Sequence, residues 1–276
     1  REEFGFGEEE PIAGTLQAKQ NARLARALKK LAGELYGSDV HWQLELLQNS
    51  DDNKYEDGVV PTAVFELKPA EVLFRCNEVG FREADIRAIC DIGNSSKVGK
   101  AKYADGGRVV ATGEKGLGFK AVFAVTDTPT IFSGPYRLQF DAGHSSGIGY
   151  ILPKWLAGEA WESAAEELLE GGWGSALKLP LRKDQLPHEA ELFNRLAALP
   201  ASTLLFLKKL QRIEIVDSAS RANQSEPSRG IRMRRAAAND EARWEEGTCH
   251  TSIEVCRGES EEWEQERWFV TRQRYE

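Results

Sequence analysis

The run Gly113-Glu114-Lys115-Gly116-Leu117-Gly118-Phe119-Lys120 restricts the fold of this chain more than any other segment. Repeated glycines permit tight turns and let backbone N–H groups approach an anion without obstruction by Cβ. Residues 116 to 125 read as a short helix entered through that turn. The unsatisfied donors and partial positive charge of a helix start then stand beside the glycines, which together make a phosphate cradle. Alone, the run also fits a plain turn between loop and helix. It lacks the GKS or GKT ending of a Walker loop, and no dinucleotide-binding fold leads into it.

Upstream, residues 40 to 53 read as a helix, with Ser38 or Asp39 as N-cap and Trp42, Leu46 and Leu47 on its apolar faces. Glu45, Asn49 and Asp52 fall at i, i+4 and i+7, so a carboxylate, an amide and a second carboxylate share one side. Such a stripe, taken singly, suits a solvated face equally well. An earlier amphipathic helix is expected over residues 15 to 36, from Leu16, Leu24, Leu28, Leu31 and Leu35, with Gly37 as its stop.

Between these elements, Ala63, Phe65 and Leu67 alternate, residues 68 to 70 turn, and residues 72 to 74 return, which predicts a hairpin opening into the loop at 76 to 81. A helix is predicted over 83 to 90. Residues 93 to 113 are rich in Gly, Ser and Lys and long for a loop in a compact domain, the character of a lid. Strands are predicted near Thr130, 136 to 140, Tyr150, 176 to 181, 203 to 207 and 213 to 216, and a helix over 187 to 199. After Asp217 the chain turns polar. Arg221, Arg229, Arg232, Arg234 and Arg235 cluster there and read as a solvated loop balanced by the acidic tail, more than as a contact to a phosphate backbone.

Bulk properties narrow the classes. A chain of 276 residues fits one large domain, or one of ~200 residues with an appendage. A net charge of −8 argues against a generally basic nucleic-acid-binding surface. Cys76, Cys90, Cys249 and Cys256 show no CxxC pair, so reduced intracellular thiols are expected; Cys249, His250 and Cys256 read as strand and turn rather than a metal cluster. No apolar run reaches the ~20 residues of a membrane span. The start at Arg1 and the strand-like end suggest a piece of a longer protein.

The order of the motifs carries more than any one of them: an ExxxN helix, a strand and loop ending in Gly80-Phe81, a lid-like segment, then GxxGxGFK. These residues resemble the N, G1 and G2 boxes of the GHKL superfamily of gyrase, heat-shock chaperones, histidine kinases and MutL. Within it, ELLQNSDDN, FRCNEVGF with DIRAICDIGNSSK, and GEKGLGFKAVF are most similar to the sacsin and NO VEIN group. The likeness covers about residues 15 to 216, including GSALKLPLR and LLFLKKLQRIEI.

The resemblance implies an α/β two-layer sandwich of the Bergerat type, a mixed and mostly antiparallel sheet with helices on one face. The ATP-binding domain would span 1–217, with a lid at about 93–112; residues 218–276 would extend the sheet or begin another domain. It further implies that Glu45 is the general base, that Asn49 holds Mg2+, and that Asp52 and Asn53 help order the nucleotide pocket. Cys76, Asn77, Gly80 and Phe81 would belong to the nucleotide-binding set. Ser95, Ser96 and Lys97 would belong to the lid. Gly113, Glu114, Lys115, Gly116, Leu117, Gly118, Phe119 and Lys120 would surround the phosphates, and Ser175 would support the adenine network.

The expected activity is Mg-dependent ATP binding and slow hydrolysis driving conformational change in a larger chaperone-like or regulatory protein. Self-association on nucleotide binding and an unknown protein client are the expected partners; nucleic acid and membrane are not. One departure stands out. The G1 box usually reads DxGxG, and Cys76 and Glu78 stand at its Asp and first Gly positions. A thiol accepts hydrogen bonds weakly, and Asn77 could supply an amide oxygen instead if the loop is reshaped. The same departure suits the alternative of a degenerate, non-catalytic nucleotide-binding or interaction module.

Overall fold

The computed structural model describes residues 19–20, 22–24, 26, 41–90, 118–218, 229–236, 248–258 and 262–271. The expected lid at 93–112 and the site candidates Ser95, Ser96, Lys97, Gly113, Glu114, Lys115, Gly116 and Leu117 lie outside the described residues. Residues 19–20, 22–24 and 26 are helical, within the span expected for the first helix.

Helix α1 (His41–Asp52) buries Trp42, Leu46 and Leu47, which recur at i, i+4 and i+5 and give it one apolar side. That side lies on a hairpin, β1 (Thr62–Lys68) and β2 (Glu71–Cys76), where Trp42 meets Phe65 edge-on at 5.8 Å between ring centroids. Phe65 in turn packs on Phe74, its register partner, at 4.8 Å. Side chains buried this fully contribute about 1.5–3 kcal/mol each, so these rings anchor α1. Helix α2 (Glu83–Cys90) follows, with Ile86 and Cys90 inward at i and i+4. A 3-10 helix (Gly118–Ala124) then leads to β3 (Thr130–Ser133) and β4 (Tyr136–Gln139).

After the two-residue β5 (Lys154–Trp155) come α3 (Glu159–Leu169), β6 (Ser175–Pro180), α4 (Glu189–Ala197), a short α5 (Thr203–Phe206) and β7 (Arg212–Asp217). Strands β8 (Arg229–Arg235), β9 (Thr248–Arg257) and β10 (Glu264–Thr271) continue the same sheet. Its order is β10-β9-β8-β7-β1-β2-β6-β3-β4-β5. Among the described residues β1 and β7 form the one parallel pair; every other pairing is antiparallel. The fold is α/β with a mixed sheet.

Helices occupy both faces, which corrects the expectation of one. Helix α3 presents Trp161, Ala164, Ala165 and Leu168 to Leu73, Phe132 and Ala176, whereas Phe74, Ile131 and Leu177, their neighbours in sequence, point into the main core. The reason is local. Strands β2, β3 and β6 are apolar on both sides and need cover on both. Residues 203–206, expected as a strand, form the turn α5, and the strand expected at Tyr150 falls at Lys154–Trp155 instead. The arginine cluster corrects likewise. Ile231 and Met233 are buried alternately, making 229–235 a strand, with Arg232 and Arg234 stacked on Trp263 and Arg234 bonded to Glu254 at 2.6 Å.

Candidate functional site

Two polar loci meet along α1. At the first, Gly118, which opens the 3-10 helix, lies where α1 displays Glu45 and Asn49. A Cβ added at Gly118 would collide with the Glu45 carboxylate and lie 3.6 Å from Asn49 Nδ2. Only hydrogen fits there without displacing the acid. The 3-10 helix is rooted behind this contact by Phe119, which packs on Phe140 at 5.4 Å, and by Val122 and Phe123, both buried. Asp52 and Asn53 stand at the end of the same helix, half-buried, and their carbonyls accept the Lys209 ammonium.

Lys120 is anchored at α2. It is 4% exposed, donates to the Ile89 carbonyl at 2.5 Å, and sits over the Phe119 and Phe140 rings at 5.4 and 4.7 Å. A cation at the last turn of α2 complements the negative end of that helix, and the aromatic faces add to its hold. Lys120 is thus a buried strut between α2 and the 3-10 helix.

The second locus begins one residue on, at Ser50. Tyr55 donates its hydroxyl to the Ser50 carbonyl at 3.0 Å and lies 3.2 Å from Cys76 Sγ. The phenol proton goes to the Ser50 carbonyl, which only accepts, or is shared with the sulfur, and either atom of the Tyr55–Cys76 contact could donate. Cys76 is fully buried. Its pKa is pushed up to about 12, first by burial and then by the charge of Glu78, against smaller opposing hydrogen bonds from Tyr55, Ser50 and the Glu78 backbone. Burial, with Cys76, Glu78 and Asp51 near, also raises Tyr55 far above its ordinary value.

Glu78 supplies what Cys76 does not. It is 4% exposed, and its carboxylate accepts the Ser175 hydroxyl at 2.6 Å. The register pair Cys76 and Ser175 brings β2 and β6 together at this point, and the chain past Cys76 folds the Glu78 side chain back onto the pair. Backbone packing enforces the turn. Gly174 N–H bonds to the Cys76 carbonyl at 3.0 Å, and a Cβ on Gly174 would run into the Glu78 carbonyl. Gly80 has φ of 91°, Ser133 Oγ donates to the Gly174 carbonyl at 2.8 Å, and Phe81 N–H donates to Ser133 at 2.8 Å.

Asn77 takes no part in that cluster. Its amide oxygen accepts the Thr62 N–H at 2.7 Å and its amide nitrogen donates to the Val60 carbonyl at 2.9 Å. Both ends of the amide are engaged by the backbone entering β1, so the acceptor that this loop brings beside Cys76 is Glu78. Sequence reading singled out Cys76 and Ser175 but left Glu78 as a misfit in a glycine position, and missed Tyr55 altogether. The signal for Glu78 was chemical: an acid on a loop that otherwise lacks the expected carboxylate.

The arrangement holds a carboxylate and an amide against a glycine backbone, and a second, buried carboxylate with a hydroxyl donor at the β2–β6 pair. Among the described residues no group of three or more His, Cys, Asp or Glu could hold a metal ion by side chains alone. No helix among them is long and apolar enough to cross a membrane.

An α/β domain with a polar seam between one helix, the 3-10 helix opened by Gly118 and a strand end is the class defined by this geometry. Residues 65–146, from β1 past β4, match the family model of the Sacsin domain. The chain is 40% identical over 207 residues to Protein NO VEIN of Arabidopsis thaliana, covering 71% of this chain and 7% of that protein. It is 25% identical over 251 residues to Sacsin of Homo sapiens, covering 77% of this chain and 5% of that protein. These matches support a place for the chain in the sacsin and NO VEIN group. It spans less than a tenth of the length of either relative.

Proposed function

We propose that this chain is a GHKL-type nucleotide domain that binds Mg-ATP and hydrolyses it slowly, driving conformational change in a longer chaperone-like or regulatory protein. One observation carries the reading: the Gly118 backbone lies directly against Glu45 and Asn49. Phosphoryl transfer to water needs a positioned base, a metal holder and backbone donors, and little covalent help. An amide oxygen is a hard ligand of the kind Mg2+ takes alongside waters and phosphates, so the residues present fit the ion. Asn49 would hold it. Magnesium, when bound, neutralises the charge on the phosphates.

The Glu45 carboxylate lies against Gly118, which suits it to accept a proton from an attacking water. Glu78 fits the base end. A buried carboxylate facing C6 of a purine accepts the adenine amine and repels the guanine carbonyl at that position, which favours adenine there. Ser175 fixes its orientation. Self-association and client contact are the outputs expected of the nucleotide-bound state.

Phosphate release from the full chain tests the enzymatic part. Glu45→Ala is expected to abolish release above background and to keep Mg-ATP affinity within a few-fold of wild type. Equal release from both proteins would remove Glu45 from the chemistry. A second reading, a non-catalytic module, is favoured by the protonated Cys76 at the position where the superfamily carries an acid. It predicts no release from wild type under any nucleotide.

A further inference from the structure

Segment 204–211, which leads from α5 into β7, is held by opposite charges on its two sides. Asp51, 5% exposed, accepts the Lys208 N–H through Oδ2 at 2.7 Å, and the Lys209 and Leu210 N–H groups through Oδ1 at 2.6 and 2.8 Å. The carbonyls of the same segment meet a cation. Arg235 of β8 donates through Nη2 to the Leu204 carbonyl at 2.7 Å and to the Leu207 carbonyl, and its own N–H bonds Gln211 O at 2.9 Å. Peptide N–H groups thus run toward a carboxylate on α1 and C=O groups toward a guanidinium on the sheet. Charge-assisted bonds of this kind are the strong ones.

Lys209 adds a second tie, its ammonium bonding the carbonyls of Asp52, at 3.2 Å, and Asn53 at the end of α1. Asp51 lies six positions beyond Glu45, a third of a turn away from the face that meets Gly118. The helix is gripped on one side and presents its polar pair on another.

We propose that Asp51 and Arg235 are positioning residues that jointly clamp segment 204–210 and so set the placement of α1 from the C-terminal strands. Glu45 and Asn49 then depend on β8, a strand beyond the expected boundary at residue 217. The functional consequence rests on the nucleotide reading; the clamp itself does not. Three main-chain donors of residues 208–210 converge on one buried carboxylate, and a cation gathering the carbonyls of Leu204 and Leu207 in the same segment makes the pair a single device.

Amide hydrogen exchange on the full chain tests it, with wild type, Asp51→Asn, Arg235→Gln, the double variant, and Phe132→Leu beneath α3 as a destabilised control. Arg235→Gln, at a side chain whose hydrogen bonds go to segment 204–210 and which meets Asp51 only through charge, is expected to speed exchange over 41–52 about tenfold, and the double variant no further than the stronger single one. The control lowers Tm without that local change. Mg-ATP affinity falls in step with the loosened helix. Unchanged exchange over 41–52 in Arg235→Gln, or effects of the two substitutions that multiply, would overturn the clamp, and the Arg235 result decides alone if Asp51→Asn does not fold. Failure of wild type to take up Mg-ATP would remove the nucleotide reading and leave the exchange result standing.

Discussion

Ser175 gives its hydroxyl proton to Glu78 across a buried 2.6 Å hydrogen bond, joining residues 97 positions apart in the chain. Glu78→Gln keeps the shape and an acceptor for Ser175 but replaces the anion and adds amide donors. ATP affinity is expected to fall about 10- to 100-fold, the worth of a charge-assisted bond, while GTP affinity holds or rises. Titration of each nucleotide against both proteins checks this; parallel losses for ATP and GTP would take Glu78 out of base selection. Ser175→Ala leaves the buried acid short of a donor and is expected to cost about 1–3 kcal/mol in denaturant unfolding.

Two glycines that look alike in sequence separate by what a methyl group would strike. At Gly118 it meets the end of a flexible side chain, the Glu45 carboxylate. Gly118→Ala should lower stability by no more than about 1–2 kcal/mol but displace the acid, with phosphate release reduced at least about tenfold. At Gly174 it meets backbone, the Glu78 carbonyl. Gly174→Ala should cost about 3 kcal/mol or more because neither chain can yield without unravelling the turn. Denaturant midpoints for both variants and phosphate release for the first distinguish the two sites.

Cys76 sets a pH dependence whose sign follows from its surroundings. Its folded pKa of about 12 lies above the ordinary 9.0, so the native state keeps a proton that the unfolded chain releases. The contribution is complete below about pH 9 and is lost as pH rises from there through 12. Cys76→Ala should flatten stability against pH over that window by close to one proton, measured as the difference between wild type and variant. Alkylation of the native thiol at pH 8 should be correspondingly slow, since the thiolate is the nucleophile. Rapid alkylation without unfolding would contradict the buried, protonated assignment.

Much of this architecture can be read where a local rule and tertiary packing agree. Alternation at Ala63, Phe65 and Leu67 specified β1, Gly80 marked a turn that uses positive φ, and the 45/49 stripe lay on α1 as helical spacing required. Where they diverged, the sequence misled. The apolar run at 203–206 is too short for periodicity to separate a strand from a buried helical turn. Ile231 and Met233 carried a strand signal hidden between arginines. The parallel pairing of β1 with β7 joins segments about 150 positions apart and has no local signature. Asp51 was visible only in hindsight, as an acid four residues after the wholly buried Leu47, on the side of α1 that the core claims.

The central claim is that one nucleotide occupies the seam between α1 and the Gly118 turn, and calorimetric titration of a non-hydrolysable ATP analogue with magnesium into the full chain tests it most directly. The account predicts saturable binding of one equivalent, dependent on magnesium and weakened at least about tenfold by Asn49→Ala, a substitution at a half-buried position that leaves the fold intact. No heat of binding at millimolar analogue, or equal affinity in wild type and Asn49→Ala, would contradict it.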